Sequence, residues 1–99
     1  MTVDEVDELL AEGALLVDIR EQNEWDEARI AGAEFKPMST INDWWTDLPR
    51  DRTVVLYCRS GNRSAHAVHA LVGQAGLDNV LNLTGGILAW TASGRDTER

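Results

Sequence analysis

The chain has 99 residues, of which 43% are hydrophobic, and its formal net charge is −8. This length and apolar content suit one compact domain spanning residues 1–99. The negative charge opposes nucleic-acid binding, because that affinity comes largely from lysine and arginine side chains that displace counterions. We therefore predict a single domain with no nucleic-acid partner.

The cysteine count and the apolar runs indicate a cytoplasmic protein. The chain has one cysteine, so no intrachain disulfide can form, and a lone thiol is ordinary in a reducing cytosol. The acidic residues 1–5 lack the features of a secretory signal. The longest apolar runs are far shorter than a membrane span, so we expect no membrane partner.

The N-terminal segment predicts a helix followed by a buried strand. Thr2 and Glu5 have the spacing of a capping box, apolar residues follow at helical spacing, and Gly13 ends the helix. Residues 14–19 are almost continuously apolar, which is typical of a parallel strand covered on both faces.

The next segment predicts shorter elements. We expect a helix over residues 23–30, with Asn23 as its cap and Gly32 after its end. Residues 33–35 predict a brief strand, and residues 42–48 predict a short helical segment.

The C-terminal half repeats the alternation of strand and helix. Residues 53–57 predict the clearest strand, residues 64–74 the clearest helix, residues 80–83 another strand and residues 85–90 a last helix. Residues 94–99 are polar and are expected to form a loose tail. The alternation predicts an α/β fold with a central, mostly parallel sheet flanked by helices on both faces.

A polar loop joins the clearest strand to the clearest helix, and the only cysteine stands at its head. Its residues and the first helical position are Cys58, Arg59, Ser60, Gly61, Asn62, Arg63 and Ser64. Ligands of parallel sheets bind at the carboxyl ends of strands, which is where this thiol lies. Loop amides, the helix N-terminus and two arginines favour negative charge, so we expect the thiol pKa to fall below its free value of about 8.5. Cys58 is the candidate catalytic nucleophile.

The rest of the loop is the candidate substrate- or anion-binding site. Arg59 and Arg63 supply positive charge, and Gly61 lets the backbone approach a ligand at positive φ. The hydroxyl groups of Ser60 and Ser64 can donate hydrogen bonds to the sulfur. The alternative interpretation is that the thiol is a small core residue and that the arginines are ordinary surface charges.

Three segments, in order and spacing, resemble the signature segments of the rhodanese family. The first, residues 16–33, contains an Asp-x-Arg strand end, a Glu-Trp pair and an Ile-Ala-Gly-Ala ending. The second is the loop, and the third, residues 82–90, has a Gly-Gly pair that opens a helix ending in Ala-Trp. The resemblance covers residues 3–90 and implies a rhodanese-like three-layer α/β domain.

The resemblance also implies a sulfurtransferase activity. The Cys58 thiolate takes the outer sulfur of a donor such as thiosulfate, forms a persulfide, and passes the sulfur to cyanide or a thiol. Arg59 and Arg63 hold the incoming and departing anions. The donor or acceptor can also be a protein. The chemistry implied needs no metal and no organic cofactor.

Loop length distinguishes the cysteine-based reactions of this fold. Four residues separate Cys58 from Arg63, whereas the related cysteine phosphatases place one residue more there to fit a tetrahedral phosphate. The shorter loop resembles that of sulfurtransferases. A phosphatase, or an arsenate reductase discharged by an external thiol, stays an alternative.

Polar residues outside the loop receive structural interpretations. Asp18 and Arg20 stand at a buried strand end, where charges are normally paired, so we expect them to support the site structurally. His66 and His69 are three positions apart on a helix, but no further His or Cys ligands accompany them, so we predict no metal site.

The tryptophans suggest a second alternative. Trp25 and Trp90 are expected in the core. Trp44 and Trp45 are adjacent on a helix and point about 100° apart, so both cannot face one core and one should be partly exposed. An exposed tryptophan here would also fit a non-catalytic module that docks onto a larger assembly.

Overall fold

The computed structural model describes residues 1–99, and it alternates helices with strands along the chain. The strands are β1 (Leu15–Asp18), β2 (Glu34–Phe35), β3 (Val54–Tyr57) and β4 (Val80–Asn82). The α-helices are α1 (Val3–Ala11), α2 (Gln22–Glu27), α3 (Ile41–Trp44), α4 (Asn62–Gly73) and α5 (Gly86–Ala92). Short 3₁₀ turns, Met38–Thr40 and Trp45–Asp47, flank α3.

One parallel sheet forms the middle layer, with the strand order β2-β1-β3-β4. Strands β1 and β3 occupy the centre, and every residue in them is buried, as their apolar runs predict. Asp18 lies opposite Tyr57 in the register. Because parallel strands end at the same edge, the residues that follow β1 and β3, Arg20 and Cys58 among them, meet there.

Two apolar clusters cover the two faces of the sheet, which confirms the predicted α/β architecture. The first lies on the side of α3 and α4 and includes Val17, Leu56, Trp44 and Leu71. The second lies on the side of α1 and α5 and includes Val6, Leu16, Val55, Tyr57 and Trp90. Alternate residues of the central strands point to opposite clusters, as the period of a β-strand requires. Cys58 belongs to the α4 side.

Helix α2 differs from its prediction at both ends. Its cap is Glu21 rather than Asn23, because Glu21 and Glu24 form a reciprocal capping box. The helix ends at Glu27, and Ala28 is extended with φ −167° and ψ 147°. The carbonyl of Ala28 accepts a hydrogen bond from the Arg20 side chain, 2.5 Å away, so the helix ends three residues before the predicted end at residue 30. By contrast, the predicted capping box of Thr2 and Glu5 is present in α1.

The tryptophans divide differently from the prediction. Trp44 is buried and donates its indole N–H to the carbonyl of Pro37, while Trp45 is partly exposed, as one of the pair had to be. Trp90 is in the core, but Trp25 is only half-buried. The Trp25 ring packs 5.1 Å from that of Phe35.

Both ends of the chain are hydrogen-bonded to the domain. The Met1 carbonyl accepts from the Thr84 N–H at 2.8 Å. Residues 94–99 were expected as a loose tail, yet Glu98 exchanges two backbone hydrogen bonds with Arg29, each 2.8 Å long. Arg95 also forms ion pairs with Asp4 and Asp7. No helix of the protein combines the length and the apolar character that a membrane-spanning helix requires.

Candidate active site

The thiol of Cys58 lies just beyond the end of β3, buried against the start of α4. Its residue is 1% exposed. The Gly61 N–H donates to Sγ at 3.1 Å, and the Ser64 hydroxyl donates to Sγ at 3.4 Å. Gly61 adopts φ +95°, and a Cβ there would approach the Gly85 nitrogen to 2.9 Å, so only glycine fits without strain. The expected role of Gly61 thus has a geometric cause.

Hydrogen bonding favours the ionised form of this thiol. Burial raises the pKa of Cys58, but hydrogen bonds from Ser64 and from the backbone of Gly61 and Ser60 outweigh burial, so the pKa falls below its ordinary value. The direction agrees with the expectation from sequence, although the leading favourable contributions come from hydrogen bonds rather than from the arginines. Ser60 contributes through its backbone, while its side chain lies exposed.

Backbone hydrogen bonds from helix α5 fix the conformation of the loop that begins at Cys58. The Ile87 N–H donates to the Cys58 carbonyl at 3.0 Å, and the Leu88 N–H donates to the Arg59 carbonyl at 3.1 Å. The trans peptide geometry turns the N–H of Ser60 away from the Arg59 carbonyl, and the Ser60 backbone is among the groups whose hydrogen bonds lower the thiol pKa. Gly86 makes this approach possible, because a Cβ there would collide with both carbonyls. The sequence predicted that Gly86 opens a helix but did not reveal this contact.

The two loop arginines have different partners. Arg63 forms a two-pronged ion pair with Glu24 of α2, and both N–O distances are 2.8 Å. The hydrogen bonds from Arg63 lower the pKa of Glu24 to about 2. Arg59 is exposed and has no ion pair. The sequence assigned Arg63 to anion binding and placed Glu24 only in the Glu-Trp pair of the first signature segment, so it did not predict this pairing.

The remaining predicted residues support the loop or lie beside it. Asn62 is exposed in the first turn of α4. Asp18 is fully buried and accepts hydrogen bonds from Arg20 at 2.7, 2.9 and 3.0 Å. Arg20 also reaches the carbonyl of Ala28, so the pair joins the end of β1 to the end of α2. This geometry supports the structural role expected for Asp18 and Arg20.

A depression with a volume of 240 Å³ adjoins the loop between α2 and α5. Its charged lining residues are Arg20, Glu24, Glu27 and Arg59. Leu88, which is 46% exposed, lies on its α5 side. Cys58 does not line the depression, so the buried thiol and this outer surface are separate parts of one edge of the sheet.

The fold and the site together define a parallel α/β domain in which a buried cysteine sulfur accepts hydrogen bonds from the loop and helix that follow it. The family profile described as "Rhodanese-like domain" matches residues 2–93. A rhodanese-related protein from Thermoplasma volcanium superposes with a TM-score of 0.87 at 31% identity, over 99% of this chain and 95% of that chain. The chain belongs to the rhodanese family.

Relatives with named activities include several sulfurtransferases. A sulfurtransferase of Allochromatium vinosum is 47% identical over 84% of this chain and 77% of its own length. The thiosulfate sulfurtransferase GlpE of Pseudomonas entomophila is 34% identical over 86% of this chain and 77% of its length. The probable adenylyltransferase/sulfurtransferase MoeZ of Mycobacterium tuberculosis is 48% identical over 76% of this chain, which spans only 19% of that protein.

Proposed function

We propose that the protein is a sulfurtransferase that carries sulfane sulfur as a persulfide on Cys58. The observation that carries the proposal is the hydrogen-bonding of the single thiol: Gly61 and Ser64 donate to Sγ, and its pKa is lowered. The sulfurtransferase relatives support the same chemistry. Thiosulfate is the donor that we propose to test first.

In the first half-reaction the Cys58 thiolate attacks the outer sulfur of thiosulfate. A new S–S bond forms, the bond between the two donor sulfurs breaks, and sulfite leaves with its electron pair and two negative charges. The loop amides and the Ser64 hydroxyl stabilise the anionic persulfide. Arg59, which has no ion pair, attracts the incoming dianion and the departing sulfite.

In the second half-reaction a nucleophile removes the outer sulfur. Cyanide attacks it to give thiocyanate, or a thiolate attacks it to give a new persulfide, and in both cases the Cys58 thiolate is regenerated. The chain has no second cysteine to accept the sulfur. The acceptor therefore lies outside residues 1–99, and we propose a small thiol or a protein thiol. We further propose a cytoplasmic setting, where such thiols stay reduced.

The loop geometry favours sulfur over phosphate as the transferred group. Four residues separate Cys58 from Arg63, and the N–H of Gly61 points at Sγ itself, at 3.1 Å. Arg63 forms an ion pair with Glu24, so its charge is already compensated, whereas an arginine that binds a phosphate uses its charge for the phosphate oxygens. These contacts support a cradle for one sulfur atom.

The test combines mass spectrometry with a turnover assay. On incubation with thiosulfate the intact protein should gain roughly 32 Da, the mass of one sulfur atom, and addition of cyanide should remove the gain and release thiocyanate. Cys58→Ser should form no adduct and no thiocyanate. A phosphate ester serves as the competing substrate. The proposal would be refuted if the wild-type protein formed no adduct, or if Cys58→Ser kept full activity.

A further inference from the structure

Opposite charges around the active-site loop cancel. The charged residues around the loop are three arginines and three carboxylates: Arg20, Arg59, Arg63, Asp18, Glu24 and Glu27. Asp18 neutralises Arg20 in a buried pair. Glu24 neutralises Arg63 in a second pair, which is partly exposed. The loop therefore has two arginines in sequence but only one cation without a partner.

The Glu24–Arg63 pair is partly exposed beside the loop, so an incoming ion can interact with the charges of the pair. The side chains are 22% and 40% exposed, so the pair borders solvent, and Glu24 lines the depression beside Arg59. The pKa of Arg63 is raised chiefly by its hydrogen bonds to Glu24 and further by the charge of Cys58, which places this guanidinium within electrostatic reach of the thiolate. An arginine freed from Glu24 would add a full positive charge at the site.

We propose that Glu24 is a specificity-determining residue that weakens the preference of the site for doubly charged sulfur donors by neutralising Arg63. The inference rests on the proposed sulfurtransferase function. Coulomb energy scales with the charge of the donor, so removing one cation from the site disfavours a dianion more than a monoanion. Glu24 acts through Arg63 and is a positioning residue.

Two donors of matched chemistry separate charge from reactivity. Thiosulfate is a dianion, and methanethiosulfonate is a monoanion in which a methyl group replaces one oxygen. The Cys58 thiolate takes the outer sulfur from either, and sulfite or methanesulfinate leaves with the electron pair of the broken S–S bond. A variant that merely changes the thiol's reactivity alters both reactions alike. The ratio of the two kcat/KM values, thiosulfate over methanethiosulfonate, therefore reports the charge of the site.

The decisive variant is Glu24→Gln, assayed at low ionic strength so that screening is weak. We expect the donor ratio to rise roughly tenfold, mainly through a lower KM for thiosulfate, and to return towards the wild-type ratio as salt is added. Arg63→Gln leaves Glu24 uncompensated and should shift the ratio by a similar factor in the opposite direction. This opposite sign keeps the inference testable if Glu24→Gln does not fold.

Three controls accompany these variants. Glu24→Asp keeps the charge and should keep the donor ratio within about twofold of wild type. Asp26→Asn removes a carboxylate from the same helix, where it is bonded to Gln22 rather than to Arg63, and should also stay within about twofold. Glu24→Gln combined with Arg63→Gln is again neutral and should restore the wild-type ratio.

The outcomes distinguish the inference from the function on which it rests. Equal changes for both donors in Glu24→Gln and in Arg63→Gln would mean that the pair is only structural, and the inference would fail while the sulfurtransferase proposal stands. If the wild-type protein forms the persulfide with neither donor, both proposals fail together.

Discussion

Arginine–carboxylate pairs occur in two regions of the molecule, and the two regions differ in burial. At the candidate active-site edge, where β1 and β3 end, Asp18 and Arg20 are 0% and 6% exposed in their side chains. At the chain-end contact, where the C-terminal segment meets α1, Arg95 pairs with Asp4 and Asp7, whose side chains are 89% and 51% exposed. Distances are similar, 2.7 to 3.0 Å. The same contact therefore has different consequences, because water compensates a broken pair only at the surface.

The largest effect is expected from Asp18→Asn. The variant leaves the Arg20 guanidinium buried without its counter-charge, which should lower the free energy of unfolding by about 3–5 kcal/mol. Urea unfolding at neutral pH measures the change. Asp18→Asn combined with Arg20→Gln is the control, because a neutral pair should recover part of the loss. A change below about 1 kcal/mol would mean that this buried pair contributes no more to stability than an exposed pair does.

Gly86→Ala tests the contact between α5 and the loop. The added Cβ collides with the carbonyls of Cys58 and Arg59, and Gly86 has φ +58°, so we expect a loss of about 1–3 kcal/mol from backbone strain. The displaced loop should also form persulfide more slowly. Gly94→Ala is the matched control, since Gly94 has positive φ but nothing within 4 Å of its Cβ position. Equal persulfide rates in both variants would contradict the role of Gly86.

The pH dependence of stability tests the Glu24–Arg63 pair. The folded pKa of Glu24 is about 2, below its ordinary value of 4.5, so its stabilising contribution is complete above about pH 4.5 and is lost as pH falls towards 2. After allowance for the partly exposed partner, we expect about 1–2 kcal/mol from this pair. Urea unfolding at several pH values in this window should show a shallower acid loss for Glu24→Gln than for wild type. Parallel curves would contradict the assignment.

The smallest effect is expected from Asp7→Asn at the chain-end contact. Arg95 keeps Asp4 as a partner, and the exposed carboxylate is well hydrated in either state. The urea midpoint should move far less than in Asp18→Asn, and added salt should remove the small difference. A loss comparable with that of Asp18→Asn would mean that exposure does not explain the contrast between the regions.

Sequence by itself determined the features that depend on neighbouring residues. The Thr2–Glu5 capping box, the apolar runs of β1 and β3, and the position of Cys58 between a strand and a helix are local patterns, and each is present in the structure. The signature segments identified the family for the same reason, because they are read in order along the chain. The lowered thiol pKa has a local origin as well, because the groups that donate hydrogen bonds to Cys58 follow it within six residues.

Only the tertiary structure decided which distant groups meet at the candidate active-site edge. Glu24 and Arg63 are 39 residues apart in the chain, and their pairing depends on how α2 and α4 pack against the sheet. The backbone hydrogen bonds between α5 and the loop likewise depend on the close approach of Gly86 to Cys58. Local propensity and motif spacing contain no information on such long-range contacts. The sequence therefore showed two arginines beside one thiol, and the fold left one of them without a counter-charge.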